Sequence, residues 1–342
     1  MTFPLEISDL SSLGFDSTQI SKLEQMILKH IDEGRYPGAQ FALARHGKLA
    51  AFRSYGHART EPAPIPTGPD TLFLLFSNTK VLVSSAVWLL VEDGIISLSD
   101  PVAEYMPAFA ANGKESVTVQ QVMTHQGGFP SSNITRAAWA DHALMREQVC
   151  AFELEWPAGS RLHYHPRSAH YVLAMLIEAV TGRDYRDVIR ERMIEPVEEK
   201  NTAGFREAGL PFGGSFGTAR AQVAFYQMLI QSGRLNGTRI LSPRMVEYLT
   251  TDFTGDRIDG NHDREMHRAL GPHKRGTGGH ACIFGSLASP LTVGHGGIGT
   301  NVCWGDPSSG VSFAYLSNEI QPNDWSSSRF DRVSNIIHAA ID

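Results

Sequence analysis

The sequence predicts an α/β (α+β) fold in which an antiparallel sheet flanked by helices carries an all-helical region. Three observations predict it. Two short apolar runs, "AQFALAR" and "KLAAFRSYG", flank the turn-forming pair His46-Gly47 and read as a hairpin. Strand-like runs return only near the end, as "PLTVGH", "TNVCWGD" and "VSFAYLSN", with residues 306–310 turning between the last two. Most of the chain between these groups repeats its apolar positions at helical spacing. A two-stranded hairpin is marginal alone, so the early pair is expected to join the late strands in one sheet. Residues 1–75 and 206–342 then form a discontinuous sheet region and 76–205 a helical insertion, together one domain with a cleft between its two parts.

In chain order, residues 17–34 place Ile20, Leu23, Met26, Ile27, His30 and Ile31 on one helical face and stop at Gly34. The hairpin follows. Residues 77–93 form an apolar helix ending at Asp93-Gly94, and further helices are expected at 118–125, 166–180, 184–193 and 218–232. The glycine-, histidine- and arginine-rich stretch 254–280 is the most loop-like segment and is expected to rim the cleft. An apolar-faced helix at 327–341 closes the chain and, with the first helix, covers the sheet.

The 342 residues suffice for one large domain or two modest ones. Thirty basic against thirty-six acidic side chains give a net charge of −6 with no block of either sign, which argues against nucleic-acid binding. The N-terminal stretch has acidic residues where a signal peptide needs basic ones, and no run of about eighteen apolar residues implies a membrane span. Cys150, Cys282 and Cys303 are too few and scattered for a disulfide framework. A reduced, cytoplasmic protein is expected.

The chemistry centres on Ser77-Asn78-Thr79-Lys80. Positions i and i+3 share a helix face, so Ser77 and Lys80 meet if the helix starts at or just before Ser77. There the macrodipole favours developing negative charge and the Ser77 N–H is free to face an oxyanion. The alternative is an N-cap serine with a solvated lysine. Of seven lysines only Lys80 has a serine three residues before it. A rival nucleophile, Ser215, lies in Gly213-Gly214-Ser215-Phe216-Gly217, but "REAGLPF" before it is no strand, as an α/β-hydrolase elbow requires, and Ser215 reads as part of a turn capping the 218–232 helix. His163, His165 and His170, like His262, His267 and His273, lack a metal-ligand spacing and read as solvated or hydrogen-bonded, and His125 as a helix-end residue.

Around Ser77 the stretches "ESVTVQQVMTHQGGFP", "WPAGSRLHYHPRSAHYVLAMLIEAVTGRDY" and "VGHGGIGTNVCWGDP" follow in order. With Ser77 and Lys80 they resemble the serine β-lactamase and penicillin-binding-protein-like superfamily, in its class C-like branch and closest in character to the family VIII carboxylesterases. The resemblance runs from Pro37-Gly38-Ala39 to the last strand. It implies a β-lactamase/transpeptidase-like fold, with Ser77 as the acylated serine, Lys80 as the lysine that helps deprotonate it, and Tyr164 as the tyrosine of the second motif. The third motif aligns at His295-Gly296-Gly297, with the N–H of Ile298 as second oxyanion donor beside that of Ser77. Two departures matter: Pro166 stands where lactamases carry asparagine, and His295 where they carry lysine.

The implied function is a serine hydrolase that forms an acyl-enzyme, most simply a carboxylesterase preferring small uncharged esters. β-Lactamase, D-amino peptidase or amidase, and acyltransferase chemistry are the alternatives within the superfamily, and a non-catalytic ligand-binding homologue is the alternative of another class. The expected partner is a small-molecule ester or amide, with no nucleic acid, membrane, metal or organic cofactor needed.

Overall fold

The computed structural model describes residues 5–195, 210–278 and 282–341. Its main sheet contains strands β1 (Glu6–Ile7), β2 (Gly38–Arg45), β3 (Lys48–Arg59), β4 (His273–Lys274), β5 (Val293–Gly297), β6 (Asn301–Asp306) and β7 (Val311–Ser317), in the order β1-β3-β2-β7-β6-β5-β4. The β2–β3 turn is formed by His46 and Gly47, both at positive φ (51° and 79°), which matches the twist of a tight hairpin. β7 runs antiparallel to β2 from Val311 opposite Arg45 to Ser317 opposite Ala39, so the early hairpin and the late strands share one sheet as expected. Among the described residues of this sheet, antiparallel pairing gives way at the edge, where β1 lies parallel to β3.

Helices α1 (Ser17–Asp32), α2 (Thr79–Glu92), α3 (Ser168–Thr181), α4 (Ala219–Ile230) and α5 (Asn323–His338) frame this sheet. On one face, Ile20, Leu23 and Ile27 of α1 and Phe330, Val333 and Ile337 of α5 pack on Phe41, Leu43, Phe313 and Tyr315. On the other, α4 lies against the sheet and leads into a second core containing α2 and α3. α2 is buried on every side from Thr79 to Leu90, as its uninterrupted apolar run requires of a core helix. α3 ends where Gly182 takes φ 66° and its N–H returns to the Glu178 carbonyl.

Several boundaries differ from the sequence reading. The final helix spans Asn323–His338 rather than 327–341, and α2 proper begins at Thr79 after a 3₁₀ turn over Phe76–Asn78. Short helices at His142–Cys150 and Pro243–Leu249 went unanticipated. Strands are not confined to the two groups: Phe73–Leu74 pairs with Phe216–Gly217, bringing the Ser215 segment alongside the Ser77 turn. Two-residue strands are too short to show an alternating pattern.

Candidate active site

The turn before α2 sets up Ser77. Phe76 is held at φ 45°, a left-handed conformation costly for a β-carbon-bearing residue, and Ser77 follows half-buried in the first turn, where backbone N–H groups lack intrahelical acceptors. Ser77 is not the helix cap. That position belongs to Asn78, which makes no side-chain cap bond and instead donates from Nδ2 to Asn301 Oδ1 on β6. The Ser77 hydroxyl oxygen lies 3.0 Å from Lys80 Nζ and 3.0 Å from the Tyr164 hydroxyl. Lys80, fully buried one turn along, also donates to the Phe212 carbonyl at 2.8 Å.

Tyr164 arrives from the loop between Arg161 and Pro166, fixed by its N–H to Asp259 Oδ1 at 3.1 Å. Its ring has His125 at 4.7 Å, His262 at 5.7 Å and the Arg268 guanidinium at 5.0 Å. His125 is the helix-end residue expected, at φ 61° after the helix Val119–Met123, and its Nδ1 accepts from the His165 N–H at 3.1 Å. It also backs the Tyr164 ring, a contact the sequence reading did not include.

Burial and charge tune these groups. Lys80 is pushed well below the ordinary lysine range, first by burial and then by the neighbouring Arg268 cation, so the neutral amine that a base requires is favoured. Burial raises Tyr164 to about 12 against the opposing Ser77 bond and Arg268, keeping the phenol protonated at neutral pH. Arg268 is buried and ion-paired with buried Asp259. Burial alone would raise Asp259, but His262 and Arg268 overcome it and hold the carboxyl well below its usual range.

His295 sits on β5, lowered to about 3 by burial and by Lys80, hence neutral. Its Nδ1 lies 2.7 Å from the Gly296 carbonyl, which only an N–H can satisfy, so Nε2 is an acceptor, buried and without a partner. The glycines allow β5 to approach the Ser77 turn: a β-carbon on Gly297 would meet the Leu75 carbonyl oxygen at 2.6 Å. Ser77, Tyr164, His295, Gly296, Gly297 and Ile298 all line one cavity of about 380 Å³, with Lys80 beneath it.

Ser215 is excluded from this cavity, 1% exposed, with its N–H donated to Thr79 Oγ1. The cap of α4 is Thr218, whose side chain accepts from the Ala221 N–H, which corrects the role expected of the Ser215 turn. Of the segment "REAGLPF", residues 206–209 lie outside the described residues. The histidines considered as ligands do not form a metal cluster among themselves. The clusters of ligand-type atoms among the described residues are His142 with Glu178 and Asp184, and Asp256 with Glu265 and His267. What the sequence reading missed is the Asp259–Arg268 pair, although stretch 254–280, from which it comes, was expected at the rim.

The sequence matches the Beta-lactamase family over residues 23–334. It is 27% identical over 315 residues to the esterase/beta-lactamase LipL of Mycobacterium tuberculosis, covering 75% of this chain and 71% of that protein. A penicillin-binding protein homologue from Caulobacter crescentus shares the fold at a TM-score of 0.81 and 24% identity, over 94% of this chain and 98% of that one. A family VIII carboxylesterase shares it at 0.79 and 22% identity, over 93% and 97% of the two chains.

Proposed function

Starting from a chain that belongs to the beta-lactamase family and is a serine hydrolase, we propose that it hydrolyses small carboxylic esters through an acyl-enzyme on Ser77. The observation that carries this reading is the Ser77 hydroxyl held at 3.0 Å by both Lys80 and Tyr164 at the floor of an open cavity. Neutral Lys80 takes the Ser77 proton as Oγ attacks the ester carbonyl. The N–H groups of Ser77 and Ile298 receive the oxyanion. Tyr164 gives its proton to the departing alkoxide and regains one from Lys80, and water repeats the sequence to release the acid. Esters are favoured over β-lactams because His295 offers the cavity a neutral acceptor, where a lysine ammonium would pair with the lactam carboxylate, and Pro166 removes an amide that would hold an acylamino side chain. The name of LipL, an esterase/beta-lactamase, includes both substrate classes and is compatible with an esterase reading.

The test is labelling with a fluorophosphonate, mass mapping of the modified serine, and a panel of p-nitrophenyl esters beside a chromogenic cephalosporin. Label on Ser77, lost in Ser77→Ala and retained in Ser215→Ala, with esters turned over faster than the cephalosporin, is the expected outcome. His295→Lys should move the ratio toward the lactam. Label on Ser215, or a higher kcat/KM for the cephalosporin, overturns the assignment.

A further inference from the structure

Arg275 lines the same cavity as Ser77 and is 7% exposed. Nη1 donates to the Gly278 carbonyl at 2.5 Å, Nε is buried without a partner, and no ion pair to a carboxylate forms among the described residues. Arg268 and Arg329 also leave Nε unpartnered, but the rest of each guanidinium is compensated. Arg268 has Asp259, while Arg329 has the Gly299 carbonyl at 2.6 Å and the faces of Trp325 and Phe330, each at 4.7 Å. Arg264 and Glu265 also line the cavity, as does Lys274, whose ammonium donates to the Thr250 carbonyl at 2.6 Å, and Ile283, Phe284 and Phe330 supply an apolar wall. A buried cation without a counter-charge is costly unless a ligand brings one, and the planar guanidinium fork matches a carboxylate.

We propose that Arg275 receives the free carboxylate of the substrate, so that the ester hydrolysed carries a second, ionised carboxyl group at the end of a short apolar chain. This rests on the esterase reading above and narrows it. The expectation of uncharged esters rested on His295 and Pro166, and His295 is indeed neutral; the cation lies elsewhere in the cavity. The Arg275 N–H donates to the Thr292 carbonyl, which sets its backbone beside the start of β5, and its side chain lines the cavity that Ser77 and His295 also line.

The experiment compares kcat/KM for mono-p-nitrophenyl glutarate and its methyl-capped twin, which place the carboxylate on the acyl half. 4-Acetoxybutanoate and its methyl ester place it on the alcohol half. In at least one pair the anionic member should exceed its capped twin about tenfold or more, and Arg275→Gln should lower that ratio by about ten- to a hundredfold, with Arg275→Lys intermediate. Capped twins equal to or better than both anionic esters in the wild type, or a ratio unchanged in R275Q, overturn the proposal. If R275Q does not fold, the wild-type preference must fall as salt rises, and a salt-independent ratio counts against it. If no ester is turned over, the esterase reading has failed. Arg275 is then judged by protection of Ser77 from fluorophosphonate by glutarate: protection weakened in R275K and lost in R275Q supports the site, and no protection in the wild type, or protection unchanged in both variants, refutes it.

Discussion

Lys80 must be a base yet sit where a charge is expensive, and the same burial that makes the charge expensive makes the base available. Because its pKa is depressed, acylation should rise with pH through a lysine titration well below the ordinary range, and stay high above it. Arg268 contributes to that depression, so Arg268→Met should move the rising limb to higher pH, whereas Arg268→Lys keeps the cation and should move it less. A limb unmoved in R268M would assign the depression to burial alone. The Met variant also strands Asp259 in the interior, and breaking a buried pair costs about 3–5 kcal/mol, readable as a lower urea midpoint. The depressed carboxyl fixes the sign of its pH dependence: its contribution to stability is complete above the unfolded aspartate pKa and declines as acid approaches the folded one. Lys80 and Tyr164 share one hydroxyl, so Lys80→Ala and Tyr164→Phe should each lower kcat by orders of magnitude while the double variant is little worse than either. Additive losses would return Tyr164 to a packing role.

At the scale of elements, the site depends on how closely β5 runs past the turn before α2. A methyl group on Gly297 would press on the Leu75 carbonyl and on the Asn301 amide, which itself holds the Leu74 and Leu75 carbonyls. Gly297→Ala should therefore displace the Ser77 turn and cost about a hundredfold in kcat/KM, a figure in line with small misplacements of reacting groups. Gly296 has more room, its nearest atom being a flexible Ile283 methyl at 3.1 Å, and Gly296→Ala should be tolerated better. Equal losses in the two variants would mean that close approach is not what the glycines provide. Much of this was legible in the chain: periodicity marks α1 and the hairpin, and Ser77, Lys80, Tyr164 and His295 stand in ordered motifs. What was not legible has no period. β1 and β4 are two residues long, and Asp259 finds Arg268 nine positions away across irregular chain, a pairing that only the folded loop creates. His262 and His273 read as solvated or hydrogen-bonded because the ring they share, that of Tyr164, comes from the other half of the sequence.

For the whole molecule, the division of the site between two regions matters most. Ser77, Lys80 and Tyr164 belong to the helical part, while Asp259, Arg268, Arg275 and His295 come from the part that completes the sheet. Neither part alone holds a nucleophile, a tuned base and a substrate wall. The core does not respect that boundary: Ala42, Ala44 and Leu49 of the hairpin and Ala314 and Leu316 of β7 belong to one buried cluster with Val83, Trp88 and Leu176 of the helical part. Trp88 further ties the two by donating its indole N–H to the Leu270 carbonyl at 2.7 Å. Exposing either region would strip apolar surface from the other, at about 25 cal/mol per Å², so the regions should unfold together. In urea, ester turnover and far-UV circular dichroism should fall in one transition with a common midpoint, and Trp88→Ala should lower both midpoints equally. Its cost should be about 3–5 kcal/mol, from the cavity left by a large buried side chain. Turnover lost well before the helical signal would mean that the sheet region opens by itself, and that the catalytic groups are assembled by a docking equilibrium instead of by a shared core.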